Sequence, residues 1–260
     1  MLTKYIAVFL ILGISLAGNL SLTQSVCAET LVQSTAETRL VVALRVGQAE
    51  LQKLVPTPFQ VTPIPGGPIK EANFLVVFVD AFLFHDAQGK PDMGGINRVV
   101  VFAVPAKHSQ TGEMVTVVIG GFSANIDGVP GPYKNFAQAT IRREQTYKWA
   151  NIEAGVSDDF WEVRDNRGGI IELRLQYQRA LPSRAKSEAK IYSAVEPSFF
   201  RIYRLDTATD VVKSIPAGID RVQKYQFRMA MLELSKLFDG TEQLVAVSVI
   251  PLYVRQVFLP

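Results

Sequence analysis

The chain is poor in the residues that most chemistry is built from: 260 residues hold one cysteine, two histidines and two tryptophans. A lone Cys27 closes no intramolecular disulfide and builds no cysteine-rich metal site. His85 and His108 lie far apart without ligand-spaced companions, so no metal is expected, and a turn at a strand end accounts for His85-Asp86. No Gly-rich loop follows a strand and opens a helix, and no Gly-x-Ser-x-Gly elbow is present. Neither a phosphate cradle nor a serine nucleophile is thereby encoded, and no cofactor is implied. Charge of one sign is also scarce. The 27 Lys+Arg against 24 Asp+Glu give a net +3, scattered along the chain, which does not describe a nucleic-acid binder. A composition of 48% hydrophobic and 20% charged residues excludes long disorder, collagen and coiled coil as the dominant state.

An apolar run long enough to span a bilayer is missing too. Tyr5–Gly18 is apolar but falls short of the roughly 20 residues a stable span needs. Met1–Lys4 gives it a positive start, and Val26-Cys27-Ala28 places small side chains at the −3 and −1 positions of a cut before Glu29. That layout predicts a secretory signal peptide over residues 1–28, with an uncleaved anchor as the alternative. Cleavage removes Cys27 and Lys4, leaving a cysteine-free chain with a formal charge of +2 and no membrane span. A periplasmic or secreted protein is the expectation.

What is present reads as strand. Residues 29–38 are polar and are read as a loose leader. Leu40–Val46 predicts a strand, and Leu51, Leu54 and Val55 give Gln48–Val55 helical spacing, stopped by Pro56-Thr57-Pro58. Strands are further expected over Asn73–Phe84, Arg98–Val104, Met114–Ile119 and Ala137–Arg143. A hairpin turning at Asn166-Arg167-Gly168-Gly169 joins two more, and Lys190–Tyr192, Phe199–Leu205, Thr209–Ser214, Val245–Tyr253 and Val257–Leu259 extend the series. The apolar face of Val222, Tyr225, Phe227, Met229, Leu232, Leu234 and Leu237 predicts a long helix over Asp220–Phe238. The fold class is α+β but mainly β. One domain over residues 39–260 is expected, a closed sheet or barrel with a short early helix and one long helix in its C-terminal half.

The segment Asp127–Ala137 stands apart. Lys134 lies in a turn shaped by Gly and Pro and is followed at once by an apolar strand. On its residues alone such a lysine is ordinarily solvated.

Leu51–Val61 resembles the early helix and "VPxPL" turn of the acetoacetate decarboxylases. Pro132-Tyr133-Lys134-Asn135-Phe136-Ala137, with Arg143-Glu144 downstream, resembles their central "YPKKL(A/G)" segment. Thr209-Asp210-Val211 and Gly218-Ile219-Asp220, leading to Leu244–Arg255, are similar to the family's C-terminal half. The resemblance runs in patches from about residue 39 to the end. It implies that Lys134 stands in the place of the nucleophile, which attacks the ketone of acetoacetate and forms a Schiff base that accepts electrons as carbon dioxide leaves. That family is a known instance of a lysine activated by desolvation or a neighbouring cation. Asn135 occupies the place of the second lysine. The family's arginine before its first strand falls near Glu37 or, with a small slip, on Arg39. Its catalytic glutamate maps onto Ile96-Asn97-Arg98, where no acid occurs, and Asp80 lies on a strand that carries another family carboxylate.

Lys134, Asp80 and Arg39 are therefore the candidate catalytic residues, with Arg142 or Arg143 as cations that approach the lysine. Three readings follow: a decarboxylase or related imine lyase of a small β-keto acid, an exported relative binding an apolar small molecule in a cavity lined by Phe78, Phe82, Phe84 and Phe102, or an envelope protein with no site. Formation of a homo-oligomer is left open.

Overall fold

A computed structural model describes residues 29–92, 96–126, 133, 135–149 and 155–260. The expected leader, residues 1–28, and Lys134 itself lie outside the described residues. The chain runs through β1 (Thr30–Arg45), α1 (Gln48–Gln52), β2 (Phe59–Val61), β3 (Phe74–Asp86), β4 (Asn97–His108), β5 (Met114–Ser123) and β6 (Phe136–Trp149). It continues with β7 (Gly155–Asp165), β8 (Ile170–Gln178), β9 (Ser183–Ser193), β10 (Phe200–Ser214), β11 (Ile219–Asp220), β12 (Val222–Ala230) and β13 (Gln243–Leu259).

Seven strands close on themselves in the order β5-β9-β10-β13-β1-β3-β4, with β4 returning to β5. The other long strands form a second layer. β6 pairs in parallel with the end of β5 over Gly121–Ser123, and β7, β8 and β12 follow antiparallel. Gly121 makes that junction: a Cβ there would collide with the Val100 carbonyl and the Phe136 ring. The main core fills the space between one side of the barrel and the outer layer. Phe78 of β3 meets Trp161 of β7 at 5.3 Å between ring centroids, and both are fully buried. Burying a phenylalanine to this degree is worth about 1.5–3 kcal/mol. The expected hairpin turn is present between β7 and β8, where Gly168 adopts φ +86° and the Asp165 carboxylate accepts from the amides of Arg167 and Gly169.

Two expectations are corrected. Residues 29–38 are no loose leader, because β1 begins at Thr30 and pairs with β13 and β3 along its length. The long helix over Asp220–Phe238 is strand β12 followed by a single 3-10 turn at Leu232–Leu234. Tyr225, Phe227 and Met229 alternate with the exposed Gln226, Arg228 and Ala230, a period of two, while Val222, Tyr225 and Met229 also satisfy helical spacing. Pairing with β8 and the β-branched or aromatic side chains decide for the strand. Leu234 and Leu237 are still buried in the main core. No helix among the described residues is long and apolar enough to cross a membrane.

Candidate functional site

The barrel holds a partly open cavity of about 350 Å³. The pleat of β1 sends alternate side chains into it, among them Gln33, Glu37, Arg39 and Val41. From β3 come Leu75, Val77 and Val79. Phe82 then has no partner opposite it on β1, and this bulge shifts the phase so that Phe84 also points inward. A second irregularity on β13, at Pro251 and Leu252, turns Tyr253 and Arg255 inward as well as Ile250. Val99, Val101, Val118, Ile191 and Leu205 complete a mostly aliphatic wall, with Tyr133, Phe136 and Tyr203 closing it.

Among the described residues the polar end of the cavity centres on Glu37, whose side chain is 1% exposed. Its Oε1 accepts from Arg39 Nη2 at 2.8 Å and from the Thr35 hydroxyl at 3.3 Å, and Arg255 Nε lies 3.7 Å away. Burial disfavours the carboxylate, but Arg39 and Arg255 overcome that cost and hold its pKa below the ordinary glutamate value. For Arg255, burial works against the charge and the Glu37 carboxylate outweighs it, so the guanidinium is held charged more firmly than usual. Arg39 lies 3.6 Å over the Tyr253 ring and Arg255 lies 4.7 Å over that of Tyr203. The Tyr133 hydroxyl donates to the Ile191 carbonyl at 2.9 Å, and burial raises its pKa. The Nε atoms of Arg39 and Arg255 are buried without a hydrogen-bond partner. Counting Glu37, Arg39 and Arg255, the charged side chains among the described lining residues carry one positive charge in excess.

Of the residues expected from the sequence, Arg39 sits in this cavity. Asp80 does not. It lies on the other face of β3, where its carboxylate accepts from Arg98 and Arg143 at 3.1 Å each. Arg143 also binds Asp159 at 2.9 Å and Thr38 at 2.7 Å, and Arg142 pairs with Glu144 on the surface, so neither arginine lines the cavity. Asn135 is half-buried, and its amide donates to the Val118 carbonyl. Phe84 is the one member of the expected phenylalanine set on the lining. Phe78 and Phe102 face the main core, and Phe82 is exposed. His85 sits in a short bridge to Pro91, and His108 packs edge-on against Phe59. Among the described residues no three His, Cys, Asp or Glu gather as metal ligands. Sequence reasoning missed Glu37 as the centre of the site, along with Tyr253 and Arg255. The signal was the run of polar residues at alternate positions 33, 35, 37 and 39.

The molecule is thus a closed barrel with a charged end buried inside an apolar cavity. No family model and no curated protein matches the chain. Solved structures do. The chain is similar to an acetoacetate decarboxylase-like enzyme from Sphingomonas wittichii RW1, with a TM-score of 0.55 and 10% identity over 90% of this chain and 94% of that one. It is similar to the enduracididine biosynthesis enzyme MppR, solved with the condensation product of pyruvate and imidazole 4-carboxaldehyde. There the TM-score is 0.56 at 9% identity, covering 90% of each chain. It is also similar to the acetoacetate decarboxylase of Legionella pneumophila, with a TM-score of 0.50 and 10% identity over 98% and 96% of the two chains. The chain has the acetoacetate decarboxylase-like fold.

Proposed function

We propose that this chain is a lysine-dependent lyase that forms an imine between Lys134 and a small β-keto acid and releases carbon dioxide from it. One observation carries the reading: Tyr133 and Phe136 both line the charged cavity, and Lys134 lies between them in sequence. In this reading the neutral amine adds to the ketone carbon and water leaves. The cationic imine then takes up the electron pair of the bond to the carboxylate as carbon dioxide departs. A proton adds to the carbon, and water hydrolyses the imine to free the ketone and the lysine. The amine must be unprotonated to begin.

Asn135 supplies no neighbouring cation, but the excess guanidinium charge of Arg39 and Arg255 disfavours an ammonium brought close to it. Arg39 receives the substrate carboxylate. Glu37, held ionised, keeps both guanidiniums in place and gives no proton. Asp80 is committed to Arg98 and Arg143 and has no step in this scheme. The condensation product of pyruvate bound to MppR supports a carbonyl acid as the substrate class. With the expected leader, the chain works in the periplasm or outside the cell.

Incubation with acetoacetate or pyruvate, followed by borohydride, tests the proposal. One adduct is expected on the peptide containing Lys134, and none in Lys134→Ala. Absence of an adduct across pH 5–9 would overturn it. A second reading, an exported protein that binds an apolar molecule without transforming it, is favoured by the aliphatic wall; it predicts binding without an adduct.

A further inference from the structure

We infer that the barrel cavity takes an apolar monocarboxylate of medium chain length, with its carboxylate between Arg39 and Arg255 and its chain along the valines of β3 and β4. This deepens the reading of the cavity as the ligand site and does not depend on imine formation.

Three features of the cavity converge on that ligand. The first is charge. Among the described residues Arg39 and Arg255 face one carboxylate, Glu37, so a single further negative charge completes their balance, whereas a neutral or cationic ligand leaves or worsens the excess. The second is the chemistry of the side chains. Arg39 and Arg255 both line the cavity, and guanidinium is the side chain best matched to a carboxylate. The third is the wall. Val77, Val79, Val99 and Val101 offer no polar atom from their side chains, so a chain lying along them is best matched by hydrocarbon, even though Gln33, Thr116, Tyr133 and Tyr203 add polar atoms elsewhere on the lining. At the roughly 30 Å³ that a water or methylene-sized group occupies, about 350 Å³ gives room for on the order of ten such groups. A four-carbon keto acid leaves part of that space empty.

The test uses the full chain and simple probes: octanoate, butyrate, 1-octanol and octylamine, each followed by calorimetry and by the thermal midpoint. Octanoate is expected to bind on the order of 100-fold tighter than butyrate, because four more methylenes leave water. 1-Octanol and octylamine should bind at least tenfold more weakly than octanoate. Arg255→Met, with folding checked by circular dichroism, should weaken octanoate at least tenfold. Equal binding of octanoate and butyrate, or of octanoate and 1-octanol, overturns the inference, and the wild-type series alone decides this even if Arg255→Met fails to fold. Octanoate binding without a borohydride adduct counts against the imine chemistry alone. An adduct without octanoate binding counts against this inference alone.

Discussion

Replacing Glu37 with glutamine tests the electrostatics of the cavity at its centre. The side chains involved are nearly dry: Glu37 is 1% exposed, Arg39 15% and Arg255 12%. Removing the carboxylate charge leaves two guanidiniums facing each other inside the barrel. Breaking a buried ion pair by deleting one partner typically costs about 3–5 kcal/mol, and that is the loss expected in a urea melt near pH 7. The double variant Glu37→Gln with Arg255→Met removes one of the stranded charges. It should therefore recover part of the loss, with a coupling of about 0.5–3 kcal/mol in the thermodynamic cycle. The pH dependence has a definite sign. The folded-state pKa of Glu37 is lowered, so its contribution is fully present above the ordinary value of 4.5 and is lost as the pH falls below it toward the folded-state value. The stability difference between wild type and Glu37→Gln should shrink over that acid range. A loss below about 0.5 kcal/mol at pH 7, or a difference independent of pH, would refute the buried cluster as described.

Two further outcomes follow from other parts of the chain. Arg143 bridges Asp80 and Asp159 between the barrel and the outer sheet at 8% exposure, so Arg143→Leu should cost about 3–5 kcal/mol in a urea melt at pH 7. Burial already pushes the Asp159 carboxyl above the usual value despite Arg143, so protonation should reduce that loss as the pH falls through the acid range toward the ordinary aspartate value of 3.8. For the N-terminus, the leader proposed over residues 1–28 predicts that chain recovered from the native envelope begins at Glu29; an intact mass that retains those residues sinks the proposal.

Much of the sheet was legible because its strands are apolar on the core side and bounded by Gly and Pro, as at Asn73–Phe84 and Ile170–Gln178. The element that misled was β12, where Val222, Tyr225 and Met229 fit both helical and strand periods and only the open edge of β8 decides. The start of β1 failed for the opposite reason. Its inward residues Gln33, Thr35 and Glu37 are polar, so the usual alternation is inverted where the strand lines a charged cavity. Arg39 was found through a motif, but Arg255 belongs to a distant strand joined to β1 only by pairing. Asp80 shows the limit of carrying a carboxylate over by strand: one residue of phase sends it to the outer face while Val79 points inward.

Whether Lys134 and the arginine-bearing cavity form one site is decided by borohydride trapping with pyruvate or acetoacetate in the presence and absence of octanoate. A single adduct is expected, mapped to Lys134 by peptide mass and suppressed as octanoate fills the cavity. No adduct, an adduct on other lysines such as Lys53 or Lys224, or one on Lys134 that octanoate leaves unchanged would contradict a shared site.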